Sequence, residues 1–174
     1  MIKEGLEWLK AILIGVFVFI IIQWFFFTNY EVEGVSMKPT LQDGDKLVVD
    51  KISYRFGEIN RFDVIVFHAN ENEDYVKRVI GIPGDEIEYK NDQLFINGEY
   101  IDEPFLTSFR NSSMFGSLTN NFKVTVPEGH VFVMGDNRRE SYDSRHFGPI
   151  EIEKIVGKVN IRYWPFDEFS LSFD

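Results

Sequence analysis

The chain reads as a mainly β, antiparallel domain preceded by one N-terminal transmembrane helix. Two observations carry that reading. One is a long uncharged apolar run near the start. The other is a series of short β-branched and aromatic segments, punctuated by Gly, Pro, Asn and Asp, that fills the remainder. With 174 residues, 44% hydrophobic and 16% aromatic, there is length for one domain plus an appendage and enough apolar material for a packed core.

Ala11 to Phe27 read AILIGVFVFIIIQWFFF, with no charge and one amide, Gln23. As a helix this run spans about 26 Å, and continuation to Tyr30 reaches about 30 Å, the thickness of bilayer hydrocarbon. Trp8 on one side, and Trp24 and Tyr30 on the other, suit the two interfaces. A buried core helix is the weaker alternative, because all-round apolarity at this length does not suit so small a protein. A cleaved secretory signal also fits poorly. The run is longer than a usual signal core, and Thr28-Asn29-Tyr30-Glu31 offers no small-x-small cleavage site. The expected organisation is therefore a tail over 1–10, an anchor over 11–28 and a β-domain over 29–174, with about 85–130 as a smaller inserted subdomain.

Orientation follows from the basic residues. Lys3 and Lys10 precede the span, and the first basic residue after it is Lys38, which places the tail in the cytoplasm and the domain outside. Two Lys and two Glu balance in the first ten residues, so the whole formal charge of −10 belongs to the outer part. That acidity weighs against a nucleic-acid partner. The chain has no cysteine, which removes disulfides, thiolate metal sites and a thiol nucleophile.

The strands follow in order: LVVD (47–50), DVIVF (63–67), YVKRVIGI (75–82), DEIEY (85–89), QLFI, EYI, KVTV (123–126), HVFVMG (130–135) and KVNIRYW (158–164). Asn97-Gly98 between QLFI and EYI predicts a tight hairpin, and Pro83-Gly84-Asp85 predicts a turn between two strands. Phe105 to Asn121 has weak periodicity and reads as a long loop. Asn70 to Asp74 reads as a solvated acidic loop, and the aromatics of WPFDEFSLSF near the C-terminus read as core.

Three stretches stand out chemically: Gly34 to Leu41 (GVSMKPTL), Tyr75 to Asp85 (YVKRVIGIPGD) and Gly135 to Gly148 (GDNRRESYDSRHFG). Each alone has a plain structural reading. Ser36 suits an ordinary turn, Lys77 a solvent-facing position on a strand, and the third stretch an ion-paired loop. A serine hydroxyl needs a neighbouring base to act as nucleophile. His68, His130 and His146 leave a Ser-His-Asp triad open by counting.

Together these stretches resemble the conserved boxes of type I signal peptidases, membrane-anchored serine proteases that remove signal peptides. SMKPTL resembles the nucleophile box, GDKLVVDK (44–51) the next, YVKRVIGIPGD the lysine box and GDNRRESYDSRHFG the closing box. The resemblance runs from Tyr30 to Ile150, and the compact form with one anchor is similar to the Gram-positive branch. It implies the antiparallel β-fold shared by signal peptidases and SOS-repressor-type proteases.

On that resemblance Ser36 is the acylating nucleophile, Lys77 the general base and Ser141 the group that orients the lysine. Arg78, Asp136, Asp143 and Arg145 form the polar scaffold behind them. The Ser36 N–H is one oxyanion donor. Many Gram-negative relatives place a second donor, a serine, where this chain has Gly34, which leaves a backbone N–H or a water for that task. A lysine of ordinary pKa is neutral only about once in 2,500 molecules at pH 7, so the site must supply much of roughly 5 kcal/mol by desolvation. Lys38 is two residues from Ser36, a spacing unlike the S-x-x-K of penicillin-recognising enzymes, and reads as exposed.

The implied substrates are signal peptides of exported preproteins with small residues at the first and third positions before the cut. The implied pocket walls are Val32, Gly34, Met37, Leu41, Tyr75 and Val76. No metal or cofactor is implied, and the implied location is the outer face of the cytoplasmic membrane, with the lipid bilayer as a partner. Two other readings compete. A self-cleaving SOS-repressor-like protein normally lacks an anchor such as Ala11 to Phe27. An inert anchored β-domain that binds secreted proteins has no need of Ser36, Lys77 and Ser141 together.

Overall fold

The computed structural model describes residues 2–52, 54, 57–112 and 116–173; the side chains at 2–4, 22–24 and 112, those of Lys3 and Trp24 among them, lie outside the description. Helix α1 (Ile2–Phe26) leads directly into strand β1 (Phe27–Glu31). The helix therefore begins well before Ala11, and Phe27 and Thr28, expected in the anchor, pair instead with Asp50 and Val49. The side chains described from 5 to 21 are all exposed, Ile12, Phe17 and Ile20 among them. Among the described residues no helix is long and apolar enough to cross a membrane.

Two antiparallel sheets follow. The larger has the order β1-β2-β11-β3-β4-β9-β10, formed by β1, β2 (Lys46–Asp50), β11 (Ile155–Trp164), β3 (Val64–His68), β4 (Asp74–Gly81), β9 (His130–Met134) and β10 (Ile150–Glu151). The smaller has the order β7-β6-β5-β8, from β5 (Glu86–Lys90), β6 (Gln93–Ile96), β7 (Glu99–Ile101) and β8 (Phe122–Thr125). Burial explains the sequence patterns. In β2 and β5 burial alternates along the strand, with Leu47, Val49, Ile87 and Tyr89 inside, whereas Val64 to Phe67 of β3 are buried on both faces. Val64 and Val66 pack with Leu47, Val49 and Met37, while Ile65 and Phe67 pack with Val79, Val131 and Val133. The smaller sheet shares a third cluster with the larger: Ile87, Tyr89, Leu94 and Ile96 pack against Ile80, Phe132 and Met134.

Both turn expectations are met. Asn97 and Gly98 have φ of 53° and 83°, as a two-residue hairpin turn of the larger twist requires. At Ile82–Asp85 the Asp85 N–H donates to the Ile82 carbonyl, with Pro83 second and Gly84 at φ 85°. Two expectations are corrected. The stretch Phe105 to Asn121 is not wholly loop: a 3₁₀ turn (Pro104–Leu106) and helix α2 (Thr107–Ser112) occupy its first part, because Phe105 and Leu106 are buried in the core. The C-terminal aromatics are mostly outside the core. Phe166 is 74% exposed and Phe169 55%, and among these aromatics Phe173 packs inward.

Candidate active site

The first half of β4 pairs with β3 on one side, and β9 joins the other side only from Arg78 onward. Asp74 to Lys77 thus keep a free edge. The Val32–Ser36 segment faces it, and together they bound a cleft of about 330 Å³ lined by Val32, Gly34, Ser36, Met37, Tyr75, Val76, Lys77 and Tyr142. Leu41, expected in the pocket wall, does not line this cleft. It is fully buried among Leu47, Val49 and Met37, since its position follows the turn that carries Ser36 back into the core.

Lys77 is the cleft's only lysine. Its Nζ lies 2.9 Å from Ser36 Oγ and 3.0 Å from the Val76 carbonyl, and 5.1 Å from the centre of the Tyr75 ring. The side chain is 4% exposed. Desolvation lowers its pKa from 10.5 to about 8, against the opposing fields of Asp143 and Asp136. Lys38 is half-buried, less exposed than expected, and does not line the cleft. None of the histidines lines it either: His68 pairs with Asp74, His130 bonds the Glu128 carbonyl and His146 stacks on Tyr142. Among the described residues no cluster of three or more His, Cys, Asp or Glu is arranged to hold a metal.

Behind the cleft the closing segment holds the nucleophile loop. Arg78 grips Asp136 with two parallel bonds, Nε to Oδ1 at 2.9 Å and Nη2 to Oδ2 at 2.8 Å, and both side chains are fully buried. Thr40 Oγ1 donates to the same carboxylate, tying the end of the loop to it. Asn137 holds the loop's middle, its N–H on the Ser36 carbonyl at 3.0 Å and its Nδ2 on the Val35 carbonyl at 3.1 Å. Asp143 accepts from the Gly135 N–H and from Nε and Nη2 of Arg145. Burial opposes its charge, but Arg145 and the Gly135 N–H prevail and hold the carboxyl below its usual pKa.

Ser141 is buried and makes no hydrogen bond to Lys77 in this structure; the lysine is engaged by Ser36 and Val76. Ser141 instead packs against Gly135, where an added Cβ would lie 2.3 Å from its Oγ and 2.4 Å from the Ser36 carbonyl oxygen. Gly34 has φ 92°, the left-handed region that favours glycine, and its N–H donates to Asp43 Oδ1 at 2.7 Å. In this structure that amide is engaged by Asp43.

Sequence reasoning passed over Arg138, Glu103 and Tyr89, which form a buried group beneath this loop. Arg138 Nη2 and Tyr89 OH both donate to Glu103 Oε1 at 2.6 Å. The available signal was the first arginine of GDNRRE and an acidic residue before Pro104, neither of which identifies its partner.

Comparison with known proteins agrees with this geometry. The family described as "Signal peptidase, peptidase S26" matches residues 5–164. Signal peptidase I of Bacillus caldolyticus is 52% identical over 178 residues, spanning 98% of this chain and 97% of that protein. Signal peptidase IB of Staphylococcus aureus (strain MRSA252) is 44% identical over 183 residues, spanning 99% and 96%. The crystal structure of a signal peptidase I from Enterococcus faecalis V583 superposes with a TM-score of 0.54 at 40% identity, covering 58% of this chain and 96% of that one. With its part-buried Ser36–Lys77 contact at the free edge of an antiparallel sheet, the chain belongs to the signal peptidase family, peptidase S26.

Proposed function

We propose that Ser36 is the acylating nucleophile and Lys77 the general base with which this serine endopeptidase removes signal peptides from exported preproteins. The observation that supports this is the 2.9 Å contact between a buried, pKa-lowered Lys77 Nζ and Ser36 Oγ. In the proposed cycle neutral Lys77 takes the Ser36 proton as Oγ attacks the scissile carbonyl carbon. The resulting ammonium protonates the leaving amine of the mature chain, the C–N bond breaks, and the signal peptide stays as an ester on Ser36. Lys77 then takes a proton from the water that attacks the ester carbon and returns it to Ser36 Oγ as the C–Oγ bond breaks, freeing the signal peptide and restoring the neutral amine.

The other residues take supporting parts in the same proposal. The Ser36 N–H is the first oxyanion donor, and a backbone N–H or a water is the second. When Lys77 gains its third proton, the buried Ser141 hydroxyl is the acceptor that orients it. Asp136, Arg78, Asp143 and Arg145 hold the loops in place. Val32, Gly34, Met37, Tyr75 and Val76 form shallow walls that admit small side chains at the first and third positions before the cut, with Leu41 backing them.

α1 is proposed as the single membrane anchor, over 11–26 since Phe27 and Thr28 belong to β1, with 1–10 cytoplasmic and the domain over 27–174, including an insert over about 85–130, outside the cytoplasmic membrane. The described apolar side chains of α1, exposed and unshielded by the β-domain, support that reading. Anchorage holds Ser36 close to the bilayer in which the signal peptide's apolar core sits. Incubating the detergent-solubilised full chain with a preprotein and sequencing the product's new N-terminus tests the proposal. A single cut after a small-x-small sequence, absent in Ser36→Ala, is expected; an intact preprotein overturns it.

A further inference from the structure

Glu103 is a fully buried carboxylate that the mechanism above leaves unused. It follows β7, on the smaller sheet. Oε1 accepts from Arg138 Nη2 and from Tyr89 OH, each at 2.6 Å, and Oε2 accepts from Arg110 Nη2 at 3.1 Å. Arg138 also donates Nη1 to Tyr89 OH at 2.6 Å and Nε to the Gly135 carbonyl at 3.1 Å. Its guanidinium is thus held at all three nitrogens. Phe105, just after Glu103, carries the Arg78 guanidinium 4.0 Å from its ring centre and that of Arg138 at 5.9 Å.

From Arg138 the connection to Ser36 is short. The Gly135 carbonyl that Arg138 holds belongs to the turn in which Asn137 grips the Ser36 and Val35 carbonyls. We propose that Glu103 is a positioning residue for catalysis: through Arg138 it fixes the 135–138 turn, and through Asn137 the turn fixes the backbone of the nucleophile. The segment after β7 thereby brings a charge partner to the back of the nucleophile loop. This rests on the reading of Ser36 as nucleophile.

The physical reasoning concerns geometry rather than stability. A buried ion pair adds little net stability over an apolar replacement, but a guanidinium held by a carboxylate, a phenol and a carbonyl has one orientation. Without the Glu103 charge, Arg138 is left uncompensated in the interior and is drawn to other acceptors, releasing the Gly135 carbonyl. Displacement of the nucleophile on the order of 1 Å lowers rate about a hundredfold.

The test compares Glu103→Gln, which keeps shape and hydrogen-bonding capacity without the charge, with Ile96→Val, which thins the apolar core beside this group and leaves its hydrogen bonds in place. Both are made in the detergent-solubilised full chain and assayed with a peptide spanning a preprotein cleavage site. For Glu103→Gln, kcat is expected to fall roughly ten- to a hundredfold, with KM within about twofold and the midpoint of the pH profile unmoved. Ile96→Val is expected to lower thermal stability while keeping kcat within about twofold. The proposal is overturned if Glu103→Gln retains wild-type kcat, or if its loss of activity equals its loss of folded protein. Cleavage by Ser36→Ala would instead remove the reading of Ser36, so the two failures are separable.

Discussion

Lys77 and Arg78 are neighbours on β4, yet only Arg78 is given a carboxylate. Arg78 closes a two-pronged pair with Asp136, whereas the hydrogen bonds of Lys77 among the described residues go to the neutral oxygens of Ser36 and Val76. Alternation along the strand separates the two side chains onto opposite faces. The consequence is chemical. An arginine buried against a carboxylate stays charged, while a lysine buried against neutral groups loses much of its hold on the proton. With a pKa of about 8, Lys77 is neutral in about a tenth of molecules at pH 7.

Removal of either member of the dyad should therefore abolish turnover. Ser36→Ala and Lys77→Ala are expected to lower the cleavage rate by at least about a thousandfold, while Lys38→Ala retains most activity. Initial rates on a preprotein substrate check this. Full activity in Lys77→Ala would exclude it as the base.

The pH profile follows from the same residue. Because the neutral amine is the working form, kcat/KM should rise with pH through a midpoint near 8 and level off above it. A midpoint near 10 would mean that the base is not desolvated.

Burying Lys77 also has a stability consequence of definite sign. Its folded pKa, about 8, lies below the unfolded value of 10.5, so between those limits the unfolded chain binds more protons. Stability from this group rises as pH rises through that window, and below pH 8 its burial costs about 3 kcal/mol. Lys77→Met should then be more stable than the native chain at pH 7, and the difference should shrink towards pH 10.5. Tyr30, Tyr54 and Tyr89, whose phenol pKa values are raised chiefly by burial, pull the other way above pH 10 in both proteins and cancel in the comparison. Denaturant melts across the pH range read the difference; a constant offset would contradict it.

How far the sequence discloses this molecule depends on whether a signal is local. The strands around Leu47, Ile65 and Ile87 are legible because burial on one or both faces writes a period into the residues themselves. β1 is not, since Phe27 and Thr28 continue an apolar run that reads as helix, and only pairing with β2 makes them a strand. Ser36 and Lys77 stand out by their motifs, although their contact joins residues 41 apart. Glu103 and Arg138, 35 apart, carry no comparable mark, because an acid before a proline and an arginine in a polar loop both look like surface. The exposed Phe166 and Leu171 mislead in the other direction, as apolar composition does not say which side of a strand end remains in solvent.

Two glycines separate catalytic from structural crowding. A Cβ at Gly135 would lie 2.4 Å from the Ser36 carbonyl oxygen and 2.3 Å from Ser141 Oγ. A Cβ at Gly157, in β11, would lie 2.2 Å from the carbonyl oxygen of Asp50 in β2. Both approaches are far inside van der Waals contact, and in both the obstacle includes backbone. Overpacking of this kind costs about 1–3 kcal/mol, so Gly135→Ala and Gly157→Ala should lower the unfolding midpoint to similar extents. Their kinetics should diverge. Gly157→Ala moves a strand pair that contributes no residue to the cleft lining, and its folded molecules should keep kcat within about twofold. Gly135→Ala must push the nucleophile's own carbonyl or the Ser141 hydroxyl, and kcat is expected to fall about a hundredfold with less change in KM. Active-site-normalised kinetics beside thermal melts resolve the two, and equal kcat in both variants would show that the approach of Gly135 to Ser36 is packing alone.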